Sequence, residues 1–393
     1  MAGRDRGSAR TVLERRAGEI AAGGLVLDLK NGRYRVESQS EPGKYYDVNL
    51  LDDWTCTCPY HVKRRTDCKH VIAVQMMVMG VEPLAPADFV MKKPGIRCTN
   101  KECGSTGCEF YQERERKMGG ASVRYRCTAC RNRFTHRPGF LGRHYPDGAV
   151  SRAPGDVGEG RSLAGAARAV PKNSHTGVKT REPERSTVLR RVRDAGRAAA
   201  GVTGSIPVRT CGRWDADEIY CPTGRGGGRY MSEVMDSESR FILAGETYPA
   251  GDKLQSWDAT RLLKRAMRVA GTAPQVLVSD RPEGFARGFK KAVLGGRRRG
   301  GGRRPVHIRS ASVRKRHVNN SRMERKNGTT RDRIRAVRGF GSDNPALLLL
   351  FNAYYNFIRP HTGIKGRTPA EYMGIRIDGT DKWETLLAFA SAC

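Results

Sequence analysis

Eight of the eleven cysteines fall between residues 56 and 130, in two close clusters with basic residues between them. Thiols gathered this tightly dictate local chain geometry more than any other feature here, because they must either cross-link or share a metal ion. The segment "MAGRDRGSARTVLERRAGEI" carries charges without an apolar h-region, so no secretory signal is expected. In a chain without such a signal, clusters of this kind point to zinc rather than to disulfides.

The first cluster offers Cys56, Cys58, Cys68 and His70, two Cys-x-Cys/His pairs on either side of a loop. Thiolate and neutral imidazole both suit Zn²⁺, and two such pairs close a tetrahedral site. His61, inside the loop, is left with a surface role or that of a substitute ligand. The pattern resembles the SWIM zinc finger, C-x-C-x(n)-C-x-H. The preceding "YYDVNLLDDW" and following "VIAV" extend the likeness over roughly 30–80. The resemblance implies a DNA-handling protein, since such fingers recur in Mutator-like transposases and their relatives.

The second cluster offers Cys98, Cys103, Cys127 and Cys130, with the knuckle "CTACRNRFT" as its second half. Cys108 competes with Cys98 or Cys103 for the fourth position. This block resembles the zinc ribbon ahead of many prokaryotic transposase catalytic domains. Four protein ligands leave no open position on a metal, so both zinc ions are expected to be structural.

The chain has 72 Lys and Arg against 40 Asp and Glu, a formal net charge of +32. Such an excess implies a polyanionic partner, most commonly nucleic acid, held by contacts that weaken steeply with salt. The longest purely apolar run, "ALLLLF" at 346–351, is far below the ~20 residues a membrane-spanning helix needs. Beyond the cysteines, "GEGRSLAGAARAV" (158–170) and "EPERSTVLRRVRDAG" (182–196) read as two helices. Ser186 would cap the second, with Val188, Leu189 and Val192 on one face and Arg190 and Arg191 turned mostly outward. An apolar seam under a basic surface suits a helix-turn-helix that reads DNA.

Negative charge is concentrated in "GRWDADEIY" (212–220). Asp215 and Asp217, two apart in a strand-like run, share a face, and Glu218 points the other way. A hairpin over 229–248 turns at Asp236–Ser239, and a helix covers 258–271. A buried strand, 275–279, ends on Asp280, where α/β folds place their sites. A largely helical, Arg-rich segment, 317–340, carries Glu324.

"WDADEIY", "VSD", "NNSRMER" and "YYNFIRPHTGIKGRTPAEYMGI" together resemble the DDE catalytic domain of insertion-sequence transposases and retroviral integrases. The likeness covers about 210–375. It implies an α/β RNase H-like domain, a mixed five-stranded sheet flanked by helices. It also assigns Asp217, Asp280 and Glu324 as the acids that hold two Mg²⁺ or Mn²⁺ ions. Asp215 is left as a neighbouring support or an additional ligand, and His361 in "RPH" as structural. Arg322, Arg325, Lys326, Arg331 and Arg333 are candidates for gripping transposon-end DNA. The insert "GGRRRGGGRR" (295–304) lengthens the Asp280–Glu324 interval beyond that usual in the family.

The expected organisation is a SWIM finger over 1–90, a ribbon over 91–140 and a helix-turn-helix-like segment over 141–205. A catalytic domain follows over 206–376, then a tail over 377–393. The resemblance implies a transposase acting on double-stranded DNA, at transposon ends and target, as a homodimer or larger assembly. It also implies a prokaryotic host and a cytoplasmic, nucleoid-associated location. The alternative is a domesticated, catalytically inactive zinc-finger DNA-binding protein in which the acids are relics.

Overall fold

The computed structural model describes residues 5–29, 33–49, 54–79, 87–93, 95–115, 121–135, 147–169, 182–223, 227–249, 254–280, 283–295, 305–309, 320–337 and 346–390. The chain forms two compact units, and neither is a single run of sequence. The first comprises Met1–Ala85, Arg209–Tyr220 and Tyr230–Asn327; the second comprises Pro86–Val208, Cys221–Arg229 and Gly328–Cys393.

The first unit begins with helix α1 (Asp5–Ala22), then strands β1 (Val26–Asp28), β2 (Arg33–Glu37), β3 (Tyr45–Asn49) and β4 (Thr55–Cys56) in one four-stranded sheet. Alternation sets the sheet's two faces: Tyr34, Val36 and Val48 are buried, while Arg35 and Asp47 pair across the exposed face at 2.9 Å. Two helices follow, α2 (Pro59–Arg64) and α3 (Lys69–Met79). The segments "GLVLDL", "GRYRVESQS" and "KYYDVNL", set between Gly, Asn and Pro turns, predict a small β-rich region over 15–55, and its strands are found, with α1 overlapping its start. Among the described side chains of α1 only Ala17 and Ile20 are buried, amid many charges, so the sequence pattern carries little apolar signal for it.

The second unit contributes β5 (Phe89–Met91) and a three-stranded sheet of β6 (Cys108–Glu115), β7 (Ala121–Cys127) and β8 (Arg133–Thr135). Helices α4 (Asp147–Gly158), α5 (Leu163–Ala169) and α6 (Arg185–Thr203) come next. The expected helix over 158–170 is the shorter α5, Leu163–Ala169, and α4 ends at Gly158, where the expected span begins. Ser186 lies inside α6 rather than capping it: the N-cap is Glu184, and the Ser186 hydroxyl donates to the Glu184 carboxylate at 3.3 Å. The connection 170–181 lies outside the described residues.

The chain returns to the first unit with β9 (Arg213–Thr223), β10 (Gly227–Asp236) and β11 (Ile242–Pro249), then α7 (Ser256–Ala270), β12 (Val276–Ser279) and α8 (Glu283–Phe289). A π-helical turn (Lys290–Leu294), β13 (Val306–Arg309) and helix α9 (Ser321–Ala336) as far as Asn327 complete it. The strands form a sheet of order β11-β10-β9-β12-β13, with β12 parallel to both β9 and β13. Only antiparallel neighbours can be joined by a link as short as that between β9 and β10, so the sheet is mixed. The turn after β10 is built on Asp236, which accepts from the Ser239 amide at 2.9 Å and its hydroxyl at 2.7 Å. One buried cluster joins the finger residues Val36, Trp54, Val71 and Val74 to Val276, Val278, Val306 and Ile308 of β12 and β13. Most of the low-complexity insert, 296–304, is outside the described residues.

The second unit closes with α10 (Ala346–Ala353), α11 (Pro369–Tyr372), β14 (Ile375–Ile377) and α12 (Lys382–Ala390). Helix α6 buries Val188, Val192, Ala195, Ala199 and Val202 and packs on α10, α4, α5 and α12. Gly196 makes the closest approach possible: a Cβ there would stand 2.2 Å from the Ala346 carbonyl oxygen. Thr368 and Glu371 form a capping box that starts α11. His361 is buried, with Nε2 at 3.1 Å from the Tyr355 carbonyl oxygen, a structural position as expected.

Candidate functional site

Cys56 ends β4, Cys58 caps α2, and Cys68 and His70 begin α3, so short local elements deliver all four groups. Their ligand atoms lie within 4.8 Å of one another, all buried. His70 presents Nδ1, which is 3.9 Å from both Cys56 Sγ and Cys68 Sγ. A tetrahedral zinc with mixed sulfur and nitrogen ligands has edges of about 3.6–3.8 Å, so the spacing fits. Backbone amides of Cys58, His61 and Val71 donate to Cys56, Cys58 and Cys68 Sγ at 3.4–3.5 Å, which favours thiolates. Without a cation the three sulfurs hold protons in common. Hydrogen bonds from Cys56 and then Cys68 keep Cys58 far below the usual thiol range, and Cys56, bonded to Cys58, is pushed far above it. A divalent ion would release those protons. The Tyr46 ring packs on His70 with centroids 4.8 Å apart, fixing the imidazole.

The second set is Cys98, Cys103, Cys127 and Cys130, again within 4.8 Å. Cys98 and Cys130 Sγ are 3.5 Å apart, and Cys103 and Cys127 Sγ 3.7 Å. Cys127 is held down at about 6, first by the backbone amide of Cys130. Arg131, at φ 61, turns the knuckle. Cys108 pairs with Cys127 in the β6–β7 register and aims its thiol at the Ser105 carbonyl, 3.9 Å away. The four-cysteine set therefore closes without it. Both clusters are zinc-type sites.

The acids lie in the first unit. Strand β9 is central in its sheet, and its carboxylates Asp215 and Asp217 are buried while Glu218 is half-buried. Ser279 pairs with Ala216, and the next step of the same parallel register sets Asp280 beside Asp217. Asp217 is raised to about 7, first by burial and then by the charges of Asp280 and Glu324, against the pull of the Glu218 and Asn327 amides. Asp280 and Glu324 are also raised, each first by burial, and Glu324 then by Asp280. Asp217 thus senses the charge of both other acids, and Glu324 that of Asp280. Among the described residues, only the two cysteine sets have ligand atoms within 4.8 Å of one another. The acids stand farther apart.

Helix α9 supplies more than Glu324. Asn327 donates from Nδ2 to Asp217 Oδ2 at 2.7 Å, a contact that sequence patterning did not single out. Asn320, one turn before Glu324, lies close enough to Asp280 to favour its charged form. Asp215 is fully buried, raised by that burial, with Arg213 at 3.4 Å. Glu218 is raised by burial, against the Tyr248 hydroxyl, whose hydrogen bond favours its charge.

The basic residues separate into two groups. Arg190, Arg322, Arg325 and Arg331 are exposed, and Arg191 is half-buried. Arg322 donates to the Ser237 carbonyl at 2.8 Å. Arg333 donates to the Gly158 carbonyl at 3.0 Å and lies over the Tyr354 ring, so it braces the second unit. Lys326 corrects the expectation of a phosphate contact: it is buried and bonded to Glu233, because its position on α9 faces the sheet rather than solvent. No helix among the described residues is long and apolar enough to cross a membrane.

Comparison with curated proteins gave no match. Residues 46–75 match the SWIM zinc finger family, and all four groups of the first cluster lie within that span.

Proposed function

We propose that the chain is a DNA transposase that cleaves DNA at transposon ends and transfers the freed strand into target DNA. The reading rests on one observation above all: β9, the end of β12 and α9 bring Asp217, Asp280 and Glu324 to one place, with Asp280 next in register to Asp217 and α9 bonded to Asp217 through Asn327, so that the charges of Asp280 and Glu324 raise Asp217. The mixed sheet that carries Asp217 and leads to Asp280, with α9 bringing Glu324, supports an RNase H-like domain. A carboxylate held at about 7 by burial and like charge is one that a divalent cation would ionise, so these residues fit Mg²⁺ or Mn²⁺. Two such ions, when bound, supply activation of the attacking oxygen and stabilisation of the leaving oxygen.

The chain's own residues prepare the site. Asn327 orients the buried Asp217 and Asn320 favours ionised Asp280, which is half-buried, while Glu324 is exposed to solvent at the edge of the site. Exposed Arg322, Arg325 and Arg331 on α9, with Arg190 on α6, are the proposed phosphate contacts. Zinc at the two cysteine sites shapes the modules around them.

Metal-dependent cleavage and joining of labelled DNA carrying the flanking genomic ends tests this reading. Both activities are expected in wild type and are expected to vanish in Asp280→Asn and Glu324→Gln. Tight binding without cleavage under either metal would favour the inactive DNA-binding alternative. The wider spacing of the acids, compared with the cysteine sets, is the observation on that side.

A pH dependence follows. Below about 7 Asp217 carries a proton that a cation must displace, so Mn²⁺ affinity should drop about tenfold for each pH unit from 7 to 6 or lower. Above about 7 this contribution is level. Between the ordinary aspartate range and about 7, the native state holds more protons than the unfolded chain. Asp217 therefore lowers metal-free stability as pH rises through that window. Calorimetric Mn²⁺ titrations at pH 6 and 8 read the affinity; equal values at both would remove Asp217 from the site.

A further inference from the structure

Helix α7 turns one face inward and another out, and the two have opposite chemistry. Asp258, Ala259, Leu262, Leu263, Ala266 and Ala270 are buried, and the helix packs on α8, β11 and the π-helical turn. The outer face carries Trp257, Arg261, Lys264, Arg265 and Arg268, all exposed. At 3.6 residues per turn these five occupy an arc of about 100° and a length of about 16 Å. The acid of α7 itself, Asp258, is buried.

We propose that this stripe is a docking surface for the phosphate backbone of duplex DNA, separate from the α9 and α6 contacts. It rests on the transposase reading only in taking the partner to be DNA. Cations at i, i+3 and i+4 repel one another, and a merely solvated helix face would mix signs. Arg261 is held by Glu246 at 2.7 Å, by Asp258 at 3.2 Å and over the Trp257 ring at 4.9 Å. Lys264, Arg265 and Arg268 have no such partner among the described residues and remain available to phosphates. Lys291, whose Nζ is 3.4 Å from Ser256 Oγ, extends the positive surface at the start of the helix.

The surroundings select among polyanions and other occupants. A membrane would need the apolar face of α7, and that face is in the core. A second copy would bring the same positive stripe against itself. Single-stranded nucleic acid prefers a run of open aromatic platforms, whereas here Trp257 stands alone and Arg261 covers its ring. Duplex phosphates need only charge spaced along a line, and 16 Å is about half a helical turn of DNA.

Trp257 also provides the test. It is 59% exposed, whereas Trp54, Trp214 and Trp383 are at most 5% exposed. Binding is measured with a duplex about three turns long over a range of salt, without added Mg²⁺ or Mn²⁺. Addition of DNA should change Trp257 emission, and the change should be absent in Trp257→Phe. The triple variant Lys264→Gln, Arg265→Gln, Arg268→Gln should flatten the slope of log affinity against log salt by about 2 to 3. The charge-preserving triple Lys264→Arg, Arg265→Lys, Arg268→Lys should keep it. An unchanged slope with unchanged Trp257 emission overturns the proposal, as does a response confined to single-stranded oligonucleotide. Mn²⁺ affinity of the Gln variant should equal that of wild type, and absence of cleavage in wild type would leave the binding result standing. The two readings therefore fail separately.

Discussion

Cys68→Ser is expected to empty the first zinc site and unfold the finger around it. Cys68 is 1% exposed, and its Sγ takes a hydrogen bond from the Val71 amide at the start of α3, so the lost ligand lies at the centre of the module. Structural zinc contributes on the order of 10 kcal/mol to small domains that bind it, most of it as folding free energy. The loss should spread, because finger residues share one buried cluster with Val276 and Val278 of β12, and Asp280 follows that strand directly. Bound zinc should fall from two equivalents to one, and the melting temperature should drop by about 10 °C or more. An unchanged melting curve in a protein that has lost one zinc would show that the module is held by its apolar contacts alone.

The second large effect is expected at Lys326→Met. The side chains of Lys326 and Glu233 are each 1% exposed, in a buried pair between α9 and β10. Removing the ammonium strands a carboxylate that already has one oxygen, Oε1, without a hydrogen-bond partner. Breaking one side of such a pair costs about 3–5 kcal/mol, whereas replacing both by apolar residues is often near neutral. Chemical denaturation should therefore find Lys326→Met much less stable than wild type. The double variant Glu233→Leu, Lys326→Met should recover most of the loss, and a double-mutant cycle isolates the coupling. Additive losses would mean that the two groups do not act as a pair.

Features set by neighbours in sequence were legible without coordinates. Cys56, Cys58, Cys68 and His70 lie on two short turns, so spacing alone gathers them. The hairpin turn at Asp236–Ser239, the strand ending before Asp280 and the helices through 258–271 and 317–340 also follow from local pattern and reappear as β10–β11, β12, α7 and α9. What stayed hidden depends on distant partners. Lys326 reads as one more cation in an Arg-rich helix, and only the sheet, through Glu233, makes it interior. Asn327 has no distinguishing context until Asp217 comes to lie 2.7 Å from it. Helix α6 showed its apolar seam in the sequence, but not that Gly196 seats it against α10. Which of Cys98, Cys103 and Cys108 complete the ribbon was open because "CTNKEC" lacks the C-x-x-C spacing; the fold gathers Cys98 and Cys103 with Cys127 and Cys130 and turns the Cys108 thiol to the Ser105 carbonyl.

The shared core of the first unit also bears on how the chain is made. Residues such as Val71 and Val74 leave the ribosome long before Val306 and Ile308, which complete the buried cluster that contains them. At ordinary elongation rates that interval is on the order of ten to fifty seconds. During it, the apolar surface destined for β12 and β13 has no native cover, and the contacts it awaits are of high sequence separation and slow to form. Early capture of zinc would hold the finger in shape through this wait. Intracellular zinc supply during synthesis would then govern how much of the chain escapes aggregation.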